Sequence, residues 1–194
     1  MQLESDEVFR TILFSVRRFA IFYSAHLHRL AETDKKILQR FAAHMPKVDD
    51  LTLVVLKGHL LLEEMLTLII SSSLPHPKLV RDVRLTFDRK VALSKALSWD
   101  QHKNHVWDLI GAINTVRNEM AHRLEPSTLH LKLKNLRALY MQHFPQDQHL
   151  TDEQLVGGAI GFSMGFLSRC ISEATIFQRW IETLTKLGQR GSEA

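Results

Sequence analysis

Three side chains in one short run have the types and spacing for chemistry on a phosphate. The run is WDLIGAINTVRNEMAHRL, residues 107–124, and the three are Arg117, Asn118 and His122. With Val106 set at 0° on a helical wheel stepping about 100° per residue, Ile110, Ile113, Met120 and Leu124 all fall within about 40° of it. Arg117 falls at about 20°, inside that apolar stripe, whereas Asn118 and His122 lie on its flank at about 120° and 160°. A guanidinium buried without a partner is costly. Arg117 therefore needs either a structural carboxylate or an anion, and Glu63 and Glu64 are the structural candidates.

Histidine takes or donates a proton near neutral pH, as activating a ribose 2′-hydroxyl or protonating a 5′-oxygen requires. Arginine offers a fixed fork of donors to phosphate oxygens and stabilises charge on a pentacoordinate phosphorus. Asn118 precedes His122 by four residues, so its amide can orient the ring or a phosphate. Arg117 and His122 stand about 140° apart around a straight helix. One copy of the chain converges them poorly on one phosphate; two copies can do it. The bland alternative pairs Arg117 with Glu63 or Glu64 and leaves His122 capping the end of its helix.

Other candidates carry less. His59 and Glu63 are four apart on one helix, near Lys57, and form either a core-edge pair or a tuning pair for a site. His102 and His105 are three apart with no third ligand at convincing spacing, so no metal site is assigned. His26 and His28, two apart, point away from each other on a helix. Two basic clusters, Arg123 with Lys132, Lys134 and Arg137, and Arg81 with Arg84, Arg89 and Lys90, are solvated faces or the border of an RNA path. Trp99, Trp107 and Trp180 are expected as core anchors rather than base platforms. Gly157, Gly161 and Gly165 share one helix face and suit close packing; with no strand before them and no Lys-Ser/Thr after them, they do not make a phosphate loop.

The elements that must position these residues are helices. Ser5 caps a helix over 5–31, and a second runs from Asp34 to Met45, before Pro46. Asp49 and Asp50 open a third over about 50–73, apolar on most of its surface and so expected at the centre of a bundle or a dimer interface. SSSLPHP, residues 71–77, breaks it. Then come a short run over Lys78–Arg84, a helix over Phe87–Leu97 capped by Thr86, the motif helix over about 105–123, and one over Leu129–Phe144 before Pro145. Thr151 and Gln154 form a capping box for the last helix, which is expected to end near Leu187, where Gly188 and Gly191 release the tail.

Composition sets the outer bounds. The 194 residues suit one domain, and 45% apolar with 24% charged residues supports a packed core. A surplus of 25 Lys+Arg over 21 Asp+Glu permits a nucleic-acid partner without requiring one. Cys170 stands alone, so neither an internal disulfide nor a cysteine metal cluster is available. The N-terminal stretch lacks a signal-peptide plan, and the apolar stretch Leu60–Ile70 is interrupted by Glu63 and Glu64. A soluble cytoplasmic protein with no membrane partner is expected.

The run Arg117-Asn118-Glu119-Met120-Ala121-His122 resembles the R-x4-6-H motif of the HEPN superfamily, small all-helical domains of many prokaryotic RNases, toxins and phage-defence systems. LKGHLLLEEMLTLII, residues 56–70, resembles that family's apolar central helix, and LTFDRKVALSKAL, residues 85–97, the helix after it. The resemblance covers about 50–143. It implies a HEPN-like helical bundle over about 50–143 within one all-α domain; the long terminal helices over 5–48 and 151–188 lie outside the resemblance and are expected to pack on that bundle. It also implies a homodimer acting as a metal-independent endoribonuclease on single-stranded RNA, with no cofactor. Arg117 and His122 are then the catalytic pair, Asn118 assists, and the 2′-hydroxyl attack leaves a cyclic phosphate. An antitoxin or regulatory protein is a possible partner. Members silenced by adenylylation carry a Tyr two residues beyond the His, where this chain has Leu124. The alternative is a non-catalytic HEPN-like dimer that binds a protein or nucleic acid.

Overall fold

A computed structural model describes residues 50–81, 83–99, 101–122 and 127–192. The helices expected over 5–31 and 34–45 lie outside the described residues. Within them all regular structure is helical: α1 (Leu51–Ser73), α2 (Lys78–Arg81), α3 (Phe87–Leu97), α4 (Val106–His122), α5 (Leu129–Met141) and α6 (Asp152–Ser192). The chain is an all-α protein.

Short polar side chains set the helix starts. The Asp50 carboxylate accepts from the Thr52 amide at 2.8 Å, and Thr86 Oγ1 accepts from the Arg89 amide at 3.4 Å. The box before α6 closes both ways: Thr151 N–H donates to Gln154 Oε1 at 3.0 Å, and Gln154 N–H to Thr151 Oγ1 at 3.3 Å.

Three helix ends differ from expectation. α2 is a single turn that stops at Arg81 rather than Arg84; Lys78 and Leu79 are exposed, so little apolar burial supports a longer helix. α5 stops at Met141, where the chain tightens into bonds from the amides of Gln142 and His143 to the carbonyls of Leu139 and Tyr140. Pro145 disfavours helix at Phe144. α6 runs through Gly188 and Gly191 to Ser192. Glycine lowers helix propensity but stops a helix only where the chain turns left-handed, and no described residue has a positive φ.

The core forms where α1, α4 and α6 meet. Val55, Leu62 and Leu66 of α1, Ile110 and Ile113 of α4, and Leu155, Ile160 and Phe166 of α6 are fully buried. α1 packs chiefly on α6 and also on α3 and α4, and α4 packs in turn on α5 and α6. Gly58 lets the α1 backbone approach Ile160, whose side chain occupies the space a Cβ would fill. Gly158 does the same beneath the Tyr140 hydroxyl. Gly157 and Gly161 of the expected glycine stripe are buried as well, and Gly165 is half-buried. The stretch Asp152–Ile181 is long and apolar enough to cross a membrane, more so than Leu60–Ile70, and most of it is buried inside the fold.

Of the three tryptophans, only Trp107 is an anchor: it is buried, donates its indole N–H to the Gln101 carbonyl at 2.8 Å and meets Phe166 edge-on. Trp99 is 66% exposed and Trp180 58%. Trp99 lies just past the end of α3, and Trp180 sits where α6 extends beyond the core.

Candidate functional site

The buried side of α4 comprises Val106, Ile110, Ile113 and Val116, and Arg117 continues it half-buried. Its Nη1–H donates to Asn118 Oδ1 at 3.1 Å, and its Nε is buried with no hydrogen-bond partner among the described residues. The structural carboxylate expected for it is engaged elsewhere: Glu63 Oε1 accepts from Lys90 Nζ at 2.8 Å. Glu64 is exposed. The Arg117 guanidinium is thus held by a neutral amide.

Asn118, read as orienting either the His122 ring or a phosphate, accepts from Arg117 through Oδ1. The last residue of α4 is His122, and its side chain lies outside the described residues.

A second group of residues adjoins Arg117, from three helices. Asn114, one turn earlier on α4, donates Nδ2–H to Asp88 Oδ1 of α3 at 2.8 Å. That bond turns the amide oxygen toward α1, where it lies 3.0 Å from His59 Nε2. Because the oxygen only accepts, Nε2 carries the imidazole proton. The ring is 5% exposed and stacks on Phe87 with centroids 4.2 Å apart. Burial holds the His59 pKa below the usual histidine value; the Asn114 bond and the charges of Glu63 and Asp88 oppose this, while the Arg117 charge adds to it. The ring is therefore neutral beside a cation.

The expected His59–Glu63 pair is replaced by His59–Asn114, 55 residues apart in sequence. The signal available in the sequence was a polar residue at buried spacing in each of two apolar helices, since buried polar groups require partners.

The remaining candidates separate. His102 Nδ1–H donates to the Trp99 carbonyl at 3.1 Å, and His105 sits 3.7 Å from its own neighbour Asp108. Arg137 donates to the Leu150 carbonyl and to Asp152, which ties α5 to the start of α6. Lys134, Arg84 and Arg89 are exposed, while Lys90 is committed to Glu63. Burial pushes the Cys170 thiol up to about 12, so it stays protonated.

Chemically, the α4 site offers a guanidinium with no carboxylate partner among the described residues, suited to an oxyanion, and, on α1, an imidazole whose protonation burial opposes. No protein-family model, curated protein or solved structure matches this chain.

Proposed function

We propose that this protein is a HEPN-like endoribonuclease that cuts single-stranded RNA without a metal, at a site built from two copies of the chain. The observation that carries the reading is Arg117: half-buried on the motif helix, bonded to Asn118 and without a carboxylate partner among the described residues. A buried guanidinium is costly, and a phosphate oxyanion supplies the missing charge. The all-helical fold and the R-N-x-x-x-H spacing agree with the resemblance.

In this mechanism one His122 takes the proton of a ribose 2′-hydroxyl as its oxygen attacks the adjacent phosphorus. Arg117 stabilises the pentacoordinate charge. The bond to the 5′-oxygen breaks, and the same imidazolium returns its proton to that oxygen, leaving a 2′,3′-cyclic phosphate, while the Arg117 that faces it comes from the second copy. Asn118 holds Arg117 in the geometry that meets the phosphate. An RNA substrate places the protein in the cytoplasm, where toxin or phage-defence duty under a regulatory partner fits such an activity.

Incubation with a mixed RNA pool in EDTA tests the proposal. Wild type is expected to release cyclic phosphate ends, and Arg117→Ala and His122→Ala to lose at least about a hundredfold in rate while remaining folded. A folded protein that binds RNA without cutting it establishes the non-catalytic binding module instead. Cutting that survives both substitutions removes the site assignment.

A further inference from the structure

We propose that the half-open pocket where α1 and α3 end against α6 binds a small organic cation of the alkylguanidinium class. The pocket has a volume of about 400 Å³ and is lined chiefly by Ser73, Leu97, Ser98, Trp99, His102 and Phe177. It lies at the opposite end of α3 from Asp88 and is independent of the nuclease reading.

Its polar groups present lone pairs. Ser73 Oγ–H donates to the Ile69 carbonyl at 2.7 Å, and Ser98 Oγ–H to the Ser94 carbonyl at 2.8 Å. Each hydroxyl proton is thereby held inside its own helix end; the Ser73 oxygen keeps acceptor capacity for a ligand, while Ser98 is buried and its hydroxyl also meets the Cys170 thiol. His102 donates Nδ1–H to the Trp99 carbonyl, and in that tautomer Nε2 is an acceptor. α1 ends at Ser73 and α3 at Leu97, which brings the negative ends of two helix dipoles to the same opening. α1 has no basic residue in its last turn, whereas α3 carries Lys95 in its own, and among the described residues no lysine or arginine lines the pocket.

The apolar walls favour the same charge. Trp99 and Phe177 stand with ring centroids 4.5 Å apart at 48°, and Trp99 keeps an open face, being 66% exposed. Aromatic faces attract cations, and a guanidinium, planar and weakly hydrated, stacks on them better than an ammonium does. Its N–H groups meet the acceptors of Ser73 and His102 while an alkyl tail covers Leu97.

Calorimetric titration with butylguanidinium and its neutral isostere butylurea tests the proposal, on wild type, Trp99→Leu and His102→Ala. Both substituted residues are exposed, and the near-UV circular dichroism of buried Trp107 reports that each variant is folded. Saturable binding of butylguanidinium is expected, with butylurea about tenfold weaker and Trp99→Leu about tenfold weaker than wild type. Equal affinity for the two compounds overturns the proposal, because the pocket then selects only for shape. So does the absence of saturation by butylguanidinium, or an affinity unchanged in folded Trp99→Leu.

Discussion

Asn114 uses both ends of one amide, donating to Asp88 and accepting from His59, and so joins α4 to α3 and α1. Burial of the ring, against the opposing effect of the Asn114 bond, makes His59 an imidazole that resists protonation, and this can be measured. The folded pKa of His59 lies below the unfolded value of 6.5, so the unfolded chain takes up the proton first as pH falls. The stability that neutral His59 contributes is complete above pH about 6.5 and is lost as pH falls through the folded value. His143, also lowered by burial, acts with the same sign. Urea midpoints measured from about pH 7.5 to about pH 5 should therefore fall, and fall less in His59→Gln, which keeps a donor toward Asn114. Parallel profiles for the two proteins would mean that His59 is not the titrating group. Little of this pairing was legible in the sequence. Helical spacing placed Arg117 in the apolar stripe, but which acid Lys90 takes, and what His59 meets 55 residues away, are decided by tertiary packing.

Between elements, the tightest demand falls where α1 crosses α6. Three atoms of the Ile160 side chain crowd the position of a Cβ on Gly58, and Ile160 is fully buried. Gly58→Ala gains about 1 kcal/mol of helix propensity but incurs about 1–3 kcal/mol of overpacking. A net loss of about 1 kcal/mol is expected from denaturant unfolding. Adding Ile160→Val should recover most of it; a stabilised Gly58→Ala would contradict the packing described. Helix starts were legible because caps are local: Asp50, Thr86 and the Thr151–Gln154 box act within three residues of themselves. Helix ends and aromatic burial were not. Gly188 looked like a stop but carries no left-handed turn, and Trp99 and Trp180 looked like anchors although nothing in composition distinguishes them from Trp107.

At the scale of the whole molecule, positions 117 and 122 fall about 140° apart around an ideal helix, so the proposed nuclease reading calls for a site that two copies share. Mixing Arg117→Ala protein with His122→Ala protein, after subunit exchange and in EDTA, measures this directly. The mixed dimer retains one Arg117 and one His122. Each variant alone should be silent, and the mixture should regain part of the wild-type RNA cleavage, with cyclic phosphate ends. A mixture that stays silent although mixed dimers form, or a wild-type monomer that cuts at the full rate, would contradict a site shared between two copies.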